Sequence, residues 1–305
     1  MSARVDIVEV GPRDGLQSEA GVFATAAKVE FIRRALAAGL RRVEVASFVH
    51  PKKVPQMADA EAVLQGLGAP PAGTHFIGLV LNRRGFERAV AAGCNEIGMA
   101  VVASDTFNRR NQGVSTDESI AAWLDIARSA EQAGVRAQVT VSAAFGCPFE
   151  GEVAVERVVE VARRVAAARP FEIALADTIG VGVPTQVTDL VSRVREAVPG
   201  IPLRVHFHNT RNTGFANAYA ALQAGVRTFD ASLGGIGGCP FAPAATGNIA
   251  TEDLLYLLHR AGCETGVSLD AAIDTGKWLQ EQLGRNVPGM LVKAGGFPRL
   301  ATAPA

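Results

Sequence analysis

FEIALADTIGVGVPTQVTDLVSRVREAVPGIPLRVHFHN, residues 171–209, reads as strand, helix, strand. FEIALADT (171–178) and PLRVHFHN (202–209) are short runs rich in apolar and β-branched residues. VPTQVTDLVSRVREAV between them carries its apolar residues at helical spacing. A strand that returns to the next strand through a helix runs parallel to it, so this stretch is one βαβ unit. The same beat recurs along the chain. Comparable strand runs are VDIVEV (5–10), RRVEVASF (41–48), THFIGLV (74–80), NEIGMAVV (95–102), RAQVTVSAAF (136–145) and RTFDASLGG (227–235). TAAKVEFIRRALAAG (25–39) and TDESIAAWLDIARSAEQAG (116–134) are helical, and Gly39, Gly93, Gly134 and Gly225 stand where helix C-caps are expected.

Eight such units in about 250 residues predict a closed (β/α)8 TIM barrel. An open doubly wound sheet is the competitor, but no GxGxxG follows the first strand. The chain is expected to be a single domain over 1–305, with the barrel at about 4–262. SLDAAIDTGKWLQEQLGRN predicts an additional C-terminal helix within about 265–290, and GGFPRLATAPA a loose tail.

Composition narrows the function. With 48% hydrophobic and 20% charged residues the chain can build a large core, and its formal net charge of zero gives no sign of a nucleic-acid-binding face. No apolar run is long enough to cross a bilayer, and MSARVDIVEV lacks the plan of a signal peptide. Cys94, Cys147, Cys239 and Cys263 form no CxxC pair, which fits a reducing cytoplasm better than a disulfide framework or a structural zinc site.

Barrel active sites form at the C-terminal ends of the strands, and the polar residues of interest fall there. His206 and His208 are two apart on a strand and so point to the same side. With Asp14 and an amide oxygen such as Asn248 they make a nitrogen-poor, oxygen-rich set suited to Mg2+ or Mn2+. Arg13, beside Asp14, is held on a tight turn between Pro12 and Gly15. Glu44 lies in an apolar strand and needs a partner, for which Arg13 on the adjacent strand is the candidate. Cys239 sits in the glycine-rich GGIGGCPFAPAATGN, a loop suited to a lid carrying an acid or base. Cys147, in FGCPFEG, reads as structural. Lys52, Lys53, Arg109 and Arg110 are loop charges able to meet the phosphates of a carrier such as coenzyme A.

Taken together, VEVGPRDGLQ (8–17), ASFVHPKKVPQM (46–57), FGCPFEG (145–151), DTIGVG (177–182), HFH (206–208) and GGIGGCPFAPAATGNIATEDLLYLL (234–258) resemble the 3-hydroxy-3-methylglutaryl-CoA lyases, metal-dependent barrels. The resemblance implies a retro-Claisen cleavage of a branched 3-hydroxyacyl-CoA to acetyl-CoA and a 3-oxo acid such as acetoacetate, a step of leucine degradation. It implies Asp14, His206, His208 and Asn248 as cation ligands, and Arg13 as the stabiliser of the enolate. Asp14 or His206 would take the hydroxyl proton, and Cys239 would be the thiol that protonates the carbanion. Glu44 would support Arg13, and Gln17, Ser47 and Asp177 would be polar contacts to substrate. Partners are an acyl-CoA substrate and further copies of the chain in a homodimer or larger homo-oligomer. The alternatives are a lyase for another branched 3-hydroxyacyl-CoA, or a related condensing synthase or 2-oxo-acid aldolase. The chain departs from these lyases at Asn209, where they read His-x-His-Asp-Thr, and at Ala174, where they often carry serine. Both departures are expected to bear on the acyl group.

Overall fold

The computed structural model describes residues 3–238 and 247–298. Eight parallel strands close into a barrel in sequence order: β1 (Asp6–Glu9), β2 (Arg42–Ser47), β3 (His75–Leu79), β4 (Glu96–Val102), β5 (Arg136–Ser142), β6 (Ile173–Asp177), β7 (Leu203–Phe207) and β8 (Thr228–Ala231). Each falls inside one of the runs read from the sequence, so the TIM barrel expectation holds. Around it lie α1 (Thr25–Ala37), α2 (Ala60–Leu67), α3 (Arg83–Ala92), α4 (Asp105–Gln112), α5 (Thr116–Ala133), α6 (Val155–Ala166), α7 (Pro184–Ala197), α8 (Gly214–Gln223) and α9 (Thr251–Arg260). The expected additional helix is α10 (Leu269–Leu283), followed by the short α11 (Leu291–Ala294). No described helix is long and apolar enough to cross a membrane.

Two helices rather than one join β4 to β5, and their ends explain why. Ser104 caps α4 by accepting from the Phe107 amide at 3.1 Å, and left-handed Gly113 ends it. Ser115 and Glu118 then start α5 with a reciprocal capping box. At the other end of the chain α10 packs on α1 and α9. Its Trp278 meets Phe31 and, edge-on, Phe23, while the Arg34 guanidinium lies 4.9 Å above the indole ring.

The apolar core lies between strands and helices, and alternation places it there. In β7, Leu203, Val205 and Phe207 join that layer, whereas Arg204 and His206 face the barrel interior. Barrel interiors are usually stacked with branched apolar side chains. This one holds a ladder of buried charges instead. Arg42 binds Glu96 at 2.6 Å and Glu172 at 3.1 Å, Arg204 approaches Glu172 at 3.5 Å, and Arg204 reaches Asp230 at 3.3 Å. Removing one member would strand its partner without water, at about 3–5 kcal/mol.

Two carboxylates sit behind the barrel mouth. Glu9 faces outward from β1 and accepts from the amides of Gly11 and Leu233, each at 2.9 Å, and from the Thr251 hydroxyl at 2.7 Å. It thereby ties the turn after β1 to the turn after β8 and to the start of α9. Glu252, also fully buried, accepts from the Gly234 amide at 3.1 Å, and its Oε1 has no partner among the described residues. Burial pushes Glu252 from 4.5 up to about 8. The native state therefore binds a proton that the unfolded chain releases above pH 4.5, so stability falls as pH rises through 4.5 to about 8. Glu252→Gln is expected to flatten that decline by on the order of 2 kcal/mol, roughly 4 °C in Tm. Thermal melts from pH 5 to 9 check this, and an unchanged slope would assign the decline to other groups.

Candidate active site

The residues that the sequence placed at strand ends converge on one cavity of about 520 Å3 at the C-terminal end of the barrel. Arg13 and Asp14 are presented by a π-helical turn, Gly11–Gly15, rather than by a tight turn. The Val10 carbonyl accepts from Asp14 at 2.7 Å and more weakly from Arg13 and Gly15. Glycine is required at position 11, because a Cβ there would stand 2.5 Å from the Glu9 carboxylate that anchors the turn.

Arg13 is clamped from two sides. Its Nε and Nη2 meet Glu44 Oε2 at 2.7 and 2.6 Å, which is the ion pair read from the sequence, and its Nη1 meets Asp14 Oδ1 at 2.8 Å. Burial works against its charge, but Glu44 and Asp14 outweigh burial and raise its pKa. Burial would likewise raise Asp14, yet Arg13, His206 and His208 hold its carboxyl at about 2, so it is ionised.

His206 on β7 and His208 just beyond it stand with Asp14 so that one ligand atom from each lies within 4.8 Å of the others. Burial and the neighbouring imidazole push His208 down to about 4, so at neutral pH it is an uncharged donor. His206 goes the other way. Burial would lower it, but a hydrogen bond to Asp230 and the charges of Asp230 and Asp14 raise it. Asn248 pairs with His208 across an isolated antiparallel bridge. Its Nδ2 donates to Asp14 Oδ2 at 2.9 Å and to the Ile236 carbonyl at 3.1 Å. Gly237 packs against that amide with a φ of 107°, and a Cβ there would lie 2.7 Å from Nδ2.

The donor set fits a divalent cation. The Asn248 Oδ1 and His208 Nδ1 atoms are buried with no hydrogen-bond partner among the described residues. The anionic Asp14 carboxylate stands beside them, and orphaned buried polar atoms of this kind are unfavourable unless something binds them.

Other expected residues are placed unequally. Gln17 lines the cavity, with its Oε1 buried and without a hydrogen-bond partner among the described residues. Ser47 and Asp177 do not line it, contrary to their expected role as substrate contacts. Ser47 is buried at the end of β2, beyond an irregularity in register between Glu44 and Ala46. Asp177 follows the outward alternation of β6 and accepts from the Val181 and Gly182 amides at 3.0 and 2.8 Å, so it fastens the turn into α7. Asn209 is likewise turned away. Its Oδ1 accepts from the Gly214 amide at the start of α8, a service that an aspartate would perform equally well. Ala174 is fully buried in register with Thr140 and Arg204, outside the cavity lining. Arg109 and Arg110, expected in a loop, stand in the last turn of α4; Arg110 and Lys53 line the cavity, whereas exposed Arg109 pairs with Asp105 at 2.7 Å. Lys52 is exposed and outside the lining. Cys147 is buried 3.0 Å from the Ser104 hydroxyl. Cys239 lies outside the described residues.

The sequence reading missed Asp230, Arg204, Gln138 and Thr140, all of which line the cavity. Asp230 stands one residue before the end of β8, but the sequence run RTFDASLGG continues to Gly235 and so hid that strand end.

Residues 4–278 match the HMGL-like family. The chain is 46% identical to the (R)-citramalyl-CoA lyase of Chloroflexus aurantiacus, over 95% of each chain. It is also 46% identical to the hydroxymethylglutaryl-CoA lyase of Pseudomonas mevalonii, over 92% of this chain and 93% of that one. Among solved structures, an HMG-CoA lyase from Acinetobacter baumannii in complex with coenzyme A and 3-methylmalate superposes with a TM-score of 0.94 at 38% identity, covering all of both chains.

Proposed function

The chain belongs to the HMGL-like family, and from that membership we propose that it is a carbon–carbon lyase, dependent on Mg2+ or Mn2+, that cleaves a 3-hydroxy-3-methylglutaryl-CoA-like thioester. One observation carries the reading. Asp14, His206 and His208 gather their ligand atoms within 4.8 Å in the cavity that Arg13 also lines. Asp14, His206, His208 and Asn248 would hold the cation. A divalent cation there supplies Lewis-acid stabilisation of the substrate's C3 oxygen as its proton leaves.

The chain's own residues do the rest. The hydroxyl proton passes to the Asp14 carboxylate, whose two oxygens hold more lone pairs than its contacts to Arg13 and Asn248 use. The C2–C3 bond breaks as C3 becomes a carbonyl, and its electron pair moves into the thioester as an enolate. Arg13, fixed by Glu44 and Asp14, has two of its five N–H groups without a partner among the described residues, and these stabilise that oxygen. The Cys239 thiol then protonates C2, releasing acetyl-CoA and an oxo acid. Gln17 offers a polar contact to the acyl group, while Lys53 and Arg110 face the carrier's phosphates. The enzyme acts in the cytoplasm as a homo-oligomer.

A second reading is cleavage of (R)-citramalyl-CoA, which gives acetyl-CoA and a 2-oxo acid by the same bond changes. It is favoured by the 46% identity to a lyase of that name. Assay of both thioesters with Mg2+ and with Mn2+ tests the proposal. Acetyl-CoA should be released from at least one, and release from neither would sink it.

A further inference from the structure

Of the two histidines facing the cavity, only one has a hydrogen-bond partner for its ring among the described residues. His206 Nδ1 lies 3.2 Å from Asp230 Oδ2, while His208 Nδ1 is buried with none. Asp230 is itself buried, and the register of the barrel sets it directly beside His206 on the neighbouring strand. Its other oxygen, Oδ1, faces Arg204 Nη1 at 3.3 Å. Arg204 donates to the Gln138 side chain and approaches Glu172, so it is fastened from β5 and from the start of β6. The order His206, Asp230, Arg204, Glu172 therefore runs from the mouth of the barrel into its interior, each member held by the next.

We propose that Asp230, braced by Arg204, is a positioning residue that keeps the proton of His206 on Nδ1 and turns Nε2 toward the cation site. The inference rests on the cation site of the proposed function. An imidazole whose Nδ1–H donates to a carboxylate has one remaining lone pair, on Nε2, and that nitrogen becomes the more basic donor. His206 then offers the cavity a single nitrogen of defined direction. Without Asp230 the ring could flip or take the other tautomer, and the donor set would be complete only part of the time. The charge ladder of the interior thereby gains a role, because an aspartate buried this deeply keeps its charge only beside a cation such as Arg204.

The test uses Mn2+ alone, titrated into metal-free protein and followed by electron paramagnetic resonance, for wild type, Asp230→Ala and Asp230→Asn. Loss of a carboxylate that supports a ligating histidine is expected to weaken Mn2+ binding by roughly 10–100-fold, with Asp230→Asn between wild type and Asp230→Ala. The metal-free Tm of a folded variant serves as its control. Equal Mn2+ affinity in folded Asp230→Ala and in wild type would overturn the role of Asp230 while leaving the cation site standing. Wild type that binds no Mn2+ would overturn both. Because the variants can fail to fold, nitrogen-15 NMR of the wild-type histidines supplies a second reading. His206 should show a protonated Nδ1 and an Nε2 that shifts on Mg2+ addition, whereas the Nε2–H tautomer with Mg2+ present would overturn the proposal.

Discussion

Arg13→Gln is expected to lower kcat on the order of a thousandfold, the scale on which removing a fixed donor to a developing oxyanion acts. Three contacts hold this guanidinium at 2.6–2.8 Å against Glu44 and Asp14, so it cannot follow the substrate and must already be aimed. Both carboxylates keep it charged. The single substitution would leave Glu44 buried without its cation, which mixes a folding cost of about 3–5 kcal/mol with the catalytic one. The double variant Arg13→Gln/Glu44→Gln separates them, since it replaces the ion pair by two neutral amides of similar size. It should melt close to wild type and remain as slow as the single variant. A double variant that keeps its Tm and turns over within tenfold of wild type would remove Arg13 from the chemistry.

Stripping divalent cations is expected to abolish turnover, with recovery on adding Mg2+ or Mn2+. The same treatment should lower Tm, because a ligand present at a hundred times its Kd stabilises the native state by about 2.7 kcal/mol. The pH dependence of binding follows from the site. Ligands must be deprotonated. Asp14, at about 2, and His208, at about 4, are ready well below neutrality. His206 is raised and must lose its proton, so cation affinity should climb as pH rises through the His206 pKa. Mn2+ titrations between pH 5.5 and 8 measure this. Full activity in excess chelator would contradict the cation assignment, and affinity independent of pH would contradict the place of His206 in it.

The barrel was legible because its signals are local. The strand runs alternate with helical spacing, and several helices end in glycine caps, as at Gly93 and Gly134, which do adopt the left-handed conformation. The HFH spacing put two imidazoles on one side of a strand. The pairing of Glu44 with Arg13 followed from the cost of a lone buried carboxylate.

What the sequence determined by itself was the order of strands and helices, the end of the barrel at which the cavity lies, and the pair of histidines that line it. Which side each remaining residue faces was decided only by the tertiary structure. Parallel strands of a barrel are buried on both faces, so FEIALADT and RTFDASLGG show no polar–apolar alternation from which to read inside and outside. Asp177 and Asp230 are both carboxylates at or next to the end of a strand, β6 and β8. Barrel closure turns Asp177 outward to fasten a loop and Asp230 inward against His206. The charge ladder was equally hidden, since Arg42 and Glu172 meet at 3.1 Å from 130 residues apart. Closing the barrel brings distant strands face to face across its axis, and no local pattern in the chain encodes that meeting.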